Sequence, residues 1–168
     1  LKKLIPLLIG LPFWGEAQSL QVCPQCPYST ITQAIAAAKE GVYAEYNITI
    51  DKPLTLIGKD RPTINGQFKG NIFKIRANQV TIKGFRLANI PFKATEEQAA
   101  IHLEKAKNFL IEDNLMDQVC FGIILFKGKD GLVKNNKISS NAKEQYNSGN
   151  AIHLWSCKNV KVIGNEAF

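Results

Sequence analysis

The chain is predicted to be all-β and to fold as a right-handed, single-stranded parallel β-helix, a solenoid with a short N-terminal capping helix. Three observations predict this. Strand-like segments recur as Val80-Thr-Ile82-Lys-Gly84, Phe109-Leu-Ile111-Glu-Asp113, Gly131-Leu-Val133-Lys-Asn135 and Val160-Lys-Val162-Ile-Gly164, with starts 29, 22 and 29 residues apart. Self-similarity at a period of about 20–50 residues marks a repeat architecture. Upstream of each segment runs a second short strand: Ile72 to Ile75, Ile101 to Leu103, Ile123 to Leu125 and Ile152 to Leu154. After three of the later strands an asparagine stands at the same place, Asn114, Asn136 and Asn165, where its amide can bond the amide stacked above it and accept left-handed turn geometry.

From the beginning of the chain, residues 1–17 read as a secretory signal peptide. Lys2 and Lys3 precede an apolar run from Leu4 to Trp14 that is too short to span a bilayer, and Gly15-Glu16-Ala17 sets small residues before a cleavage point at Gln18. Residues 18–40 form an N-terminal segment in which Ile31, Ala34, Ile35 and Ala38 recur at helical spacing, so Ser29–Lys39 is expected to be the capping helix. From residue 41 to residue 168 helical periodicity gives way to strand-like alternation broken by Gly, Asn, Asp and Lys. Two strands and a short third stretch per repeat describe a three-sided coil. Residue 168 falls inside a repeat, and an open strand edge invites pairing, so further coils or a cap are expected beyond it.

Neighbouring residues of a strand point to opposite faces. Ile101, Leu103, Ile123, Leu125, Ile152 and Leu154 are therefore expected inside, and Lys74, His102, Ile124 and His153 on one outward ladder. Met116 falls on the face where Leu87 and Ile138 sit in other coils, which predicts core packing. An α/β fold is disfavoured because no helices alternate with the strands, and a sandwich because the repeat is regular.

The 168 residues carry a formal net charge of +7, which suits a solvated surface or an acidic partner. No nucleic-acid motif is present, and no nucleic-acid partner is expected. Polysaccharide cleavage would need paired carboxylates on adjacent coils. Glu104 instead aligns with Phe126 and Trp155, Glu112 with Lys83, Lys134 and Lys161, and Asp113 with Gly84, Asn135 and Gly164, so no acidic ladder builds up. Four cysteines in an oxidising compartment could form two disulfides, one or none. Cys120 and Cys157 are not stacked equivalents and read as small buried hydrophobes.

At Asn147-Ser-Gly-Asn-Ala-Ile-His-Leu-Trp155, followed by Ser156 and Cys157, the sequence resembles the NosD family of nitrous oxide reductase maturation proteins. Thr30 to Ile35, Gly41-Val-Tyr43, Ile50 to Gly58 and Ala100-Ile-His-Leu103 resemble the same family, as does the Cys-Pro-x-Cys-Pro start at Cys23. The helix-then-strand opening and the Asp51-Lys-Pro-Leu-Thr-Leu56 run also occur in carbohydrate-binding and pectate-lyase-like solenoids. One departure is local: the family's Gly-Asp and short apolar strand before Gly-x-Tyr are missing between Glu40 and Gly41, so the first coil is expected to be distorted.

The resemblance implies a periplasmic, non-catalytic accessory factor for assembling the copper–sulfur centre of nitrous oxide reductase. It implies an ATP-binding-cassette transporter, with its membrane subunit and ATPase, as partner, and a copper chaperone as a further one. The alternative reading is a carbohydrate-binding lyase or hydrolase. Copper in an exported protein, as Cu+, takes thiolate, thioether or imidazole ligands. Cys23 and Cys26, three residues apart, suit a soft low-coordinate ion, and His102, His153 and Cys157 are the other candidate ligands. His102 and His153 stand two coils apart, roughly 10 Å at a rise of about 4.8 Å per coil, so one ion between them is not expected. His102, Phe126, His153 and Trp155 form a strip suited to docking a partner.

Overall fold

The computed structural model describes residues 42–92, 96–140 and 149–168. Among them every strand pairing is parallel. Three sheets result, and each turn of the chain contributes one strand to each. The first sheet stacks Ile48–Ile50, Phe73–Ile75, Ala99–Glu104, Phe121–Phe126 and Ile152–Trp155. The second stacks Leu54–Ile57, Val80–Lys83, Leu110–Glu112, Lys129–Lys134 and Lys158–Ile163. The third stacks Val42–Ala44, Thr63–Asn65, Arg86–Ala88, Leu115–Asp117, Lys137–Ile138 and Glu166–Ala167. This is a parallel β-helix, and the short third stretch of each repeat is itself a paired side. No α-helix occurs among the described residues, and none there is long and apolar enough to cross a membrane. The expected signal peptide and the capping helix at Ser29–Lys39 lie outside the described residues.

Alternation builds the core. Each strand sends every second side chain inward, and register stacks like on like, so Leu56, Ile82, Ile111 and Val133 form one buried ladder. Ile64, Leu87, Met116 and Ile138 form another. Ile75, Leu103 and Leu125 form a third, which Leu154 continues at the last strand, where it is exposed. Burying one such side chain fully is worth about 1.5–3 kcal/mol. The ladder from Val80 through Phe109 to Gly131 and Val160 alternates sizes: an ideal Cβ on Gly131 would stand 2.2 Å from Phe109 Cζ, so the glycine makes room for the ring.

At the corner after the second sheet the ladder asparagines stack. Asn114 Nδ2 donates to Asn136 Oδ1 at 3.0 Å, and Asn136 Nδ2 donates to Asn165 Oδ1 at 2.8 Å. Each Oδ1 also takes a backbone N–H from the neighbouring coil: Phe85 at 3.1 Å, Asn114 at 3.0 Å and Asn136 at 2.9 Å. The left-handed residue of the turn is the one before the asparagine, Asp113, Asn135 or Gly164, and Gly84 takes the same geometry before Phe85 in the preceding coil. This corrects the expectation that the ladder amides adopt that geometry themselves. Those amides instead serve as hydrogen-bonded linkers between coils, fully buried at Asn114 and Asn136.

From Leu87 onward the coil lengths differ at one corner alone. Leu87, Met116 and Ile138 are in register, as are Ile101, Ile123 and Ile152. The chain takes 14 residue steps from Leu87 to Ile101 and from Ile138 to Ile152, but 7 from Met116 to Ile123. Both seven-residue insertions therefore enter between the third and first sheets, and Phe92 and Glu97 of the first insertion border the outer face of the first sheet. Insertions gathered on one face of a solenoid commonly frame its binding surface.

Candidate functional site

The outer face of the first sheet carries the ladder Lys74, His102, Ile124 and His153, in the expected register. The next outward ladder is Glu104, Phe126 and Trp155. Between the two lies a groove of 410 Å³, walled by His102, Ile124, Phe126, His153 and Trp155 with Glu97 and Glu104 at one end. Glu97 comes from the first insertion, which sequence reading did not connect with this face. The inserted corner could be found from the unequal repeat lengths, but which way it folds could not.

Ile124 points outward as expected, yet it is only 3 % exposed. It packs with Ala99, Cys120 and Phe121, and with Phe92 from the first insertion, as a second apolar cluster outside the barrel. That cluster anchors His153, whose ring meets Phe121 edge-on at 6.1 Å and Trp155 in a tilted stack at 6.2 Å. With Asn150 Nδ2 donating to His153 Nδ1 at 2.8 Å, that nitrogen is an acceptor and Nε2 is the ring's remaining polar atom. Trp155 is 56 % exposed, so the groove ends on an aromatic face open to solvent. Lys127 Nζ lies 5.0 Å from the Phe126 ring centroid, a cation–π contact.

His102 sits half-buried at the groove's other end, and burial pushes its pKa below the ordinary 6.5 despite the opposing pull of Glu104. The Lys105 ammonium, 3.2 Å from Glu104, holds that carboxylate below its usual range by hydrogen bonding. A neutral imidazole beside an ionised carboxylate is the resulting state near neutral pH.

The candidate ligands among the described residues, His102, His153 and Cys157, do not converge. His102 and His153 are separated by the rung of Ile124. Cys157 turns the other way: it packs against the inner core, and Sγ lies 3.3 Å from the Leu125 carbonyl oxygen. Cys120 is buried in the outer cluster, and burial raises its thiol pKa. Among the described residues no three of His, Cys, Asp and Glu gather as a metal-ligand group, and the groove's donor set does not fit a copper centre. Cys23 and Cys26 lie outside the described residues. Among the described residues the ladders carry no stacked carboxylate pair. Glu112 stands between Lys83 at 3.4 Å and Lys134 at 3.1 Å, and its pKa is held low chiefly by the Lys134 hydrogen bond. Ile163, not Lys161, follows Lys134 on that ladder, and Lys161 pairs with Leu132, so the expected alignment of Lys161 with Glu112 is corrected.

The outer wall of this β-helix offers a shallow aromatic and imidazole groove of the kind that suits recognition. The family model described as "Periplasmic copper-binding protein (NosD)" matches residues 31–168, and the chain belongs to that family. It is 31% identical over 121 residues to a protein of Pseudomonas aeruginosa named "Probable ABC transporter binding protein NosD", an alignment covering 71% of this chain. The chain spans 28% of that relative's length. These are names of binding proteins, not of enzymes. No solved structure matches the chain.

Proposed function

We propose that this chain supplies coils of a periplasmic accessory factor that helps assemble the copper–sulfur centre of nitrous oxide reductase, working with an ATP-binding-cassette transporter. The observation that carries this reading is the match over residues 31–168 to a family described as periplasmic and copper-binding. The chain is non-catalytic in this role. Its groove docks a protein partner, the reductase, with Trp155 and Phe126 as apolar anchors and His102 and His153 as the polar contacts. Exposed aromatics at a groove are the residues that most often carry interface energy. Copper enters as cargo. Cys23 and Cys26 are its binding pair, two soft thiol donors three residues apart, while the ladder histidines serve recognition.

The test is deletion of the gene in a denitrifying host, followed by measurement of the copper content and activity of nitrous oxide reductase. Copper-depleted, inactive reductase is expected, with recovery by the wild-type gene and poor recovery by one carrying Trp155→Ala and His153→Ala. Fully loaded, active reductase in the deletion strain refutes the assignment.

A further inference from the structure

Charges on this solenoid are mostly arranged so that stacked neighbours attract. Arg76 lies over Glu104 at 3.4 Å, Lys83 and Lys134 bracket Glu112, and Lys137 meets Glu166 at 3.2 Å. The corner between the first and second sheets breaks this rule. Lys107, Lys129 and Lys158 stack directly on one another, and just after the first-sheet strands Lys105 and Lys127 stand in successive coils, the Lys105 N–H bonded to the Phe126 carbonyl. Like charges directly opposite each other in a sheet are destabilising. Lys105 has Glu104 at 3.2 Å and Lys127 its aromatic ring. Among the described residues no carboxylate pairs with Lys107, Lys129 or Lys158. Asp130, the nearest acid in sequence, accepts a hydrogen bond from Asn159 at 3.0 Å.

Between the two lysine rows the chain turns inward through Ala106 and Gly128, so nothing rises from the floor. The result is a trough of 370 Å³ along the solenoid axis, with Lys105 and Lys127 on one wall and Lys107 and Lys129 on the other. We propose that this trough is a docking site for an extended acidic segment of a partner protein, whose carboxylates alternate left and right onto the two walls. An extended strand points successive side chains to opposite sides, which matches two facing rows of ammonium groups. A membrane surface would require the ammonium groups on one plane rather than on two facing walls. The site is separate from the aromatic groove and does not depend on the function proposed for it.

The test measures binding of a fluorescent oligo-glutamate peptide to the full chain by anisotropy, with an oligo-glutamine peptide and phosphatidylglycerol vesicles as parallel probes. Oligo-glutamate binding is expected, abolished near 1 M salt, where the screening length falls to about 3 Å. Lys107→Gln with Lys129→Gln should weaken it about tenfold. Lys52→Gln with Lys59→Gln, an equal loss of charge on exposed residues elsewhere, should leave it within about twofold. The trough variant should also melt no lower than the parent chain, since it relieves stacked repulsion. Equal weakening by both pairs, binding to vesicles but not to peptide, no binding at all, or a lower melting temperature of the trough variant would each overturn the proposal.

Discussion

Replacing Asn136 by alanine removes the centre of the asparagine ladder. Its side chain donates to the Ile111 carbonyl at 3.0 Å, the Lys134 carbonyl at 3.1 Å and Asn165 Oδ1 at 2.8 Å, and accepts from the Asn114 N–H and Nδ2, both at 3.0 Å. Asn114 Nδ2 keeps a bond to the Ile82 carbonyl, and Asn165 Oδ1 keeps the Asn136 N–H. The Asn114 N–H and the Ile111 carbonyl lose these partners in a place where Asn114 and Asn136 are both 0 % exposed. At about 1–3 kcal/mol for each stranded buried group, the variant loses roughly 2–6 kcal/mol. For a domain of this size that lowers the melting temperature by roughly 5–20 °C. Asn165→Ala, on the half-exposed rung where water can replace the lost bonds, loses about 1 kcal/mol. Urea unfolding followed by circular dichroism reads both as midpoint shifts at unchanged slope. A loss below about 0.5 kcal/mol for Asn136→Ala, or losses equal in the two variants, would refute the view that a buried amide network holds this corner.

Two further perturbations probe the core and the groove. Gly131→Val should cost about 1–3 kcal/mol by driving a side chain into the Phe109 ring, and adding Phe109→Val should recover part of it, since Val80 and Val160 show that this ladder accepts valine; strictly additive losses would sink the size-complementarity argument. His102 titrates below 6.5 when folded because it is half-buried, so between that lowered value and 6.5 the unfolded chain binds more protons than the folded one. Its contribution is therefore present above about 6.5 and fades as pH falls through that range. His102→Gln should flatten the loss of melting temperature between about pH 7.5 and 5.5; an unchanged slope would mean that another group controls it.

The solenoid was legible because its evidence is local and repeated. Period-two alternation names the inward residues, and a recurring unit of 22 or 29 residues puts Ile101, Ile123 and Ile152 on one rung by spacing alone. The ladder of Lys74, His102, Ile124 and His153 followed from that register. Ile124's burial did not, because it depends on Phe92, which an insertion brings across the sheet from the preceding coil. The lysine trough was written in the sequence as Lys105-Ala-Lys107 and Lys127-Gly-Lys129, but two such triplets read singly are ordinary surface. Only stacking in register makes them facing walls.

By itself the sequence determined the fold class, the rung assignments, the stacked asparagines and the family features at His153 to Cys157, all of which rest on residue type and spacing. Tertiary structure alone decided that Cys157, at the corner after its strand, packs against the inner core while His153 stands on the outer face, that Glu97 joins the groove, and that the corner lysines enclose a trough. The physical reason is that spacing fixes the direction of a side chain only within a regular strand. Where the chain turns or an insertion crosses a face, direction is settled by packing between residues far apart in sequence.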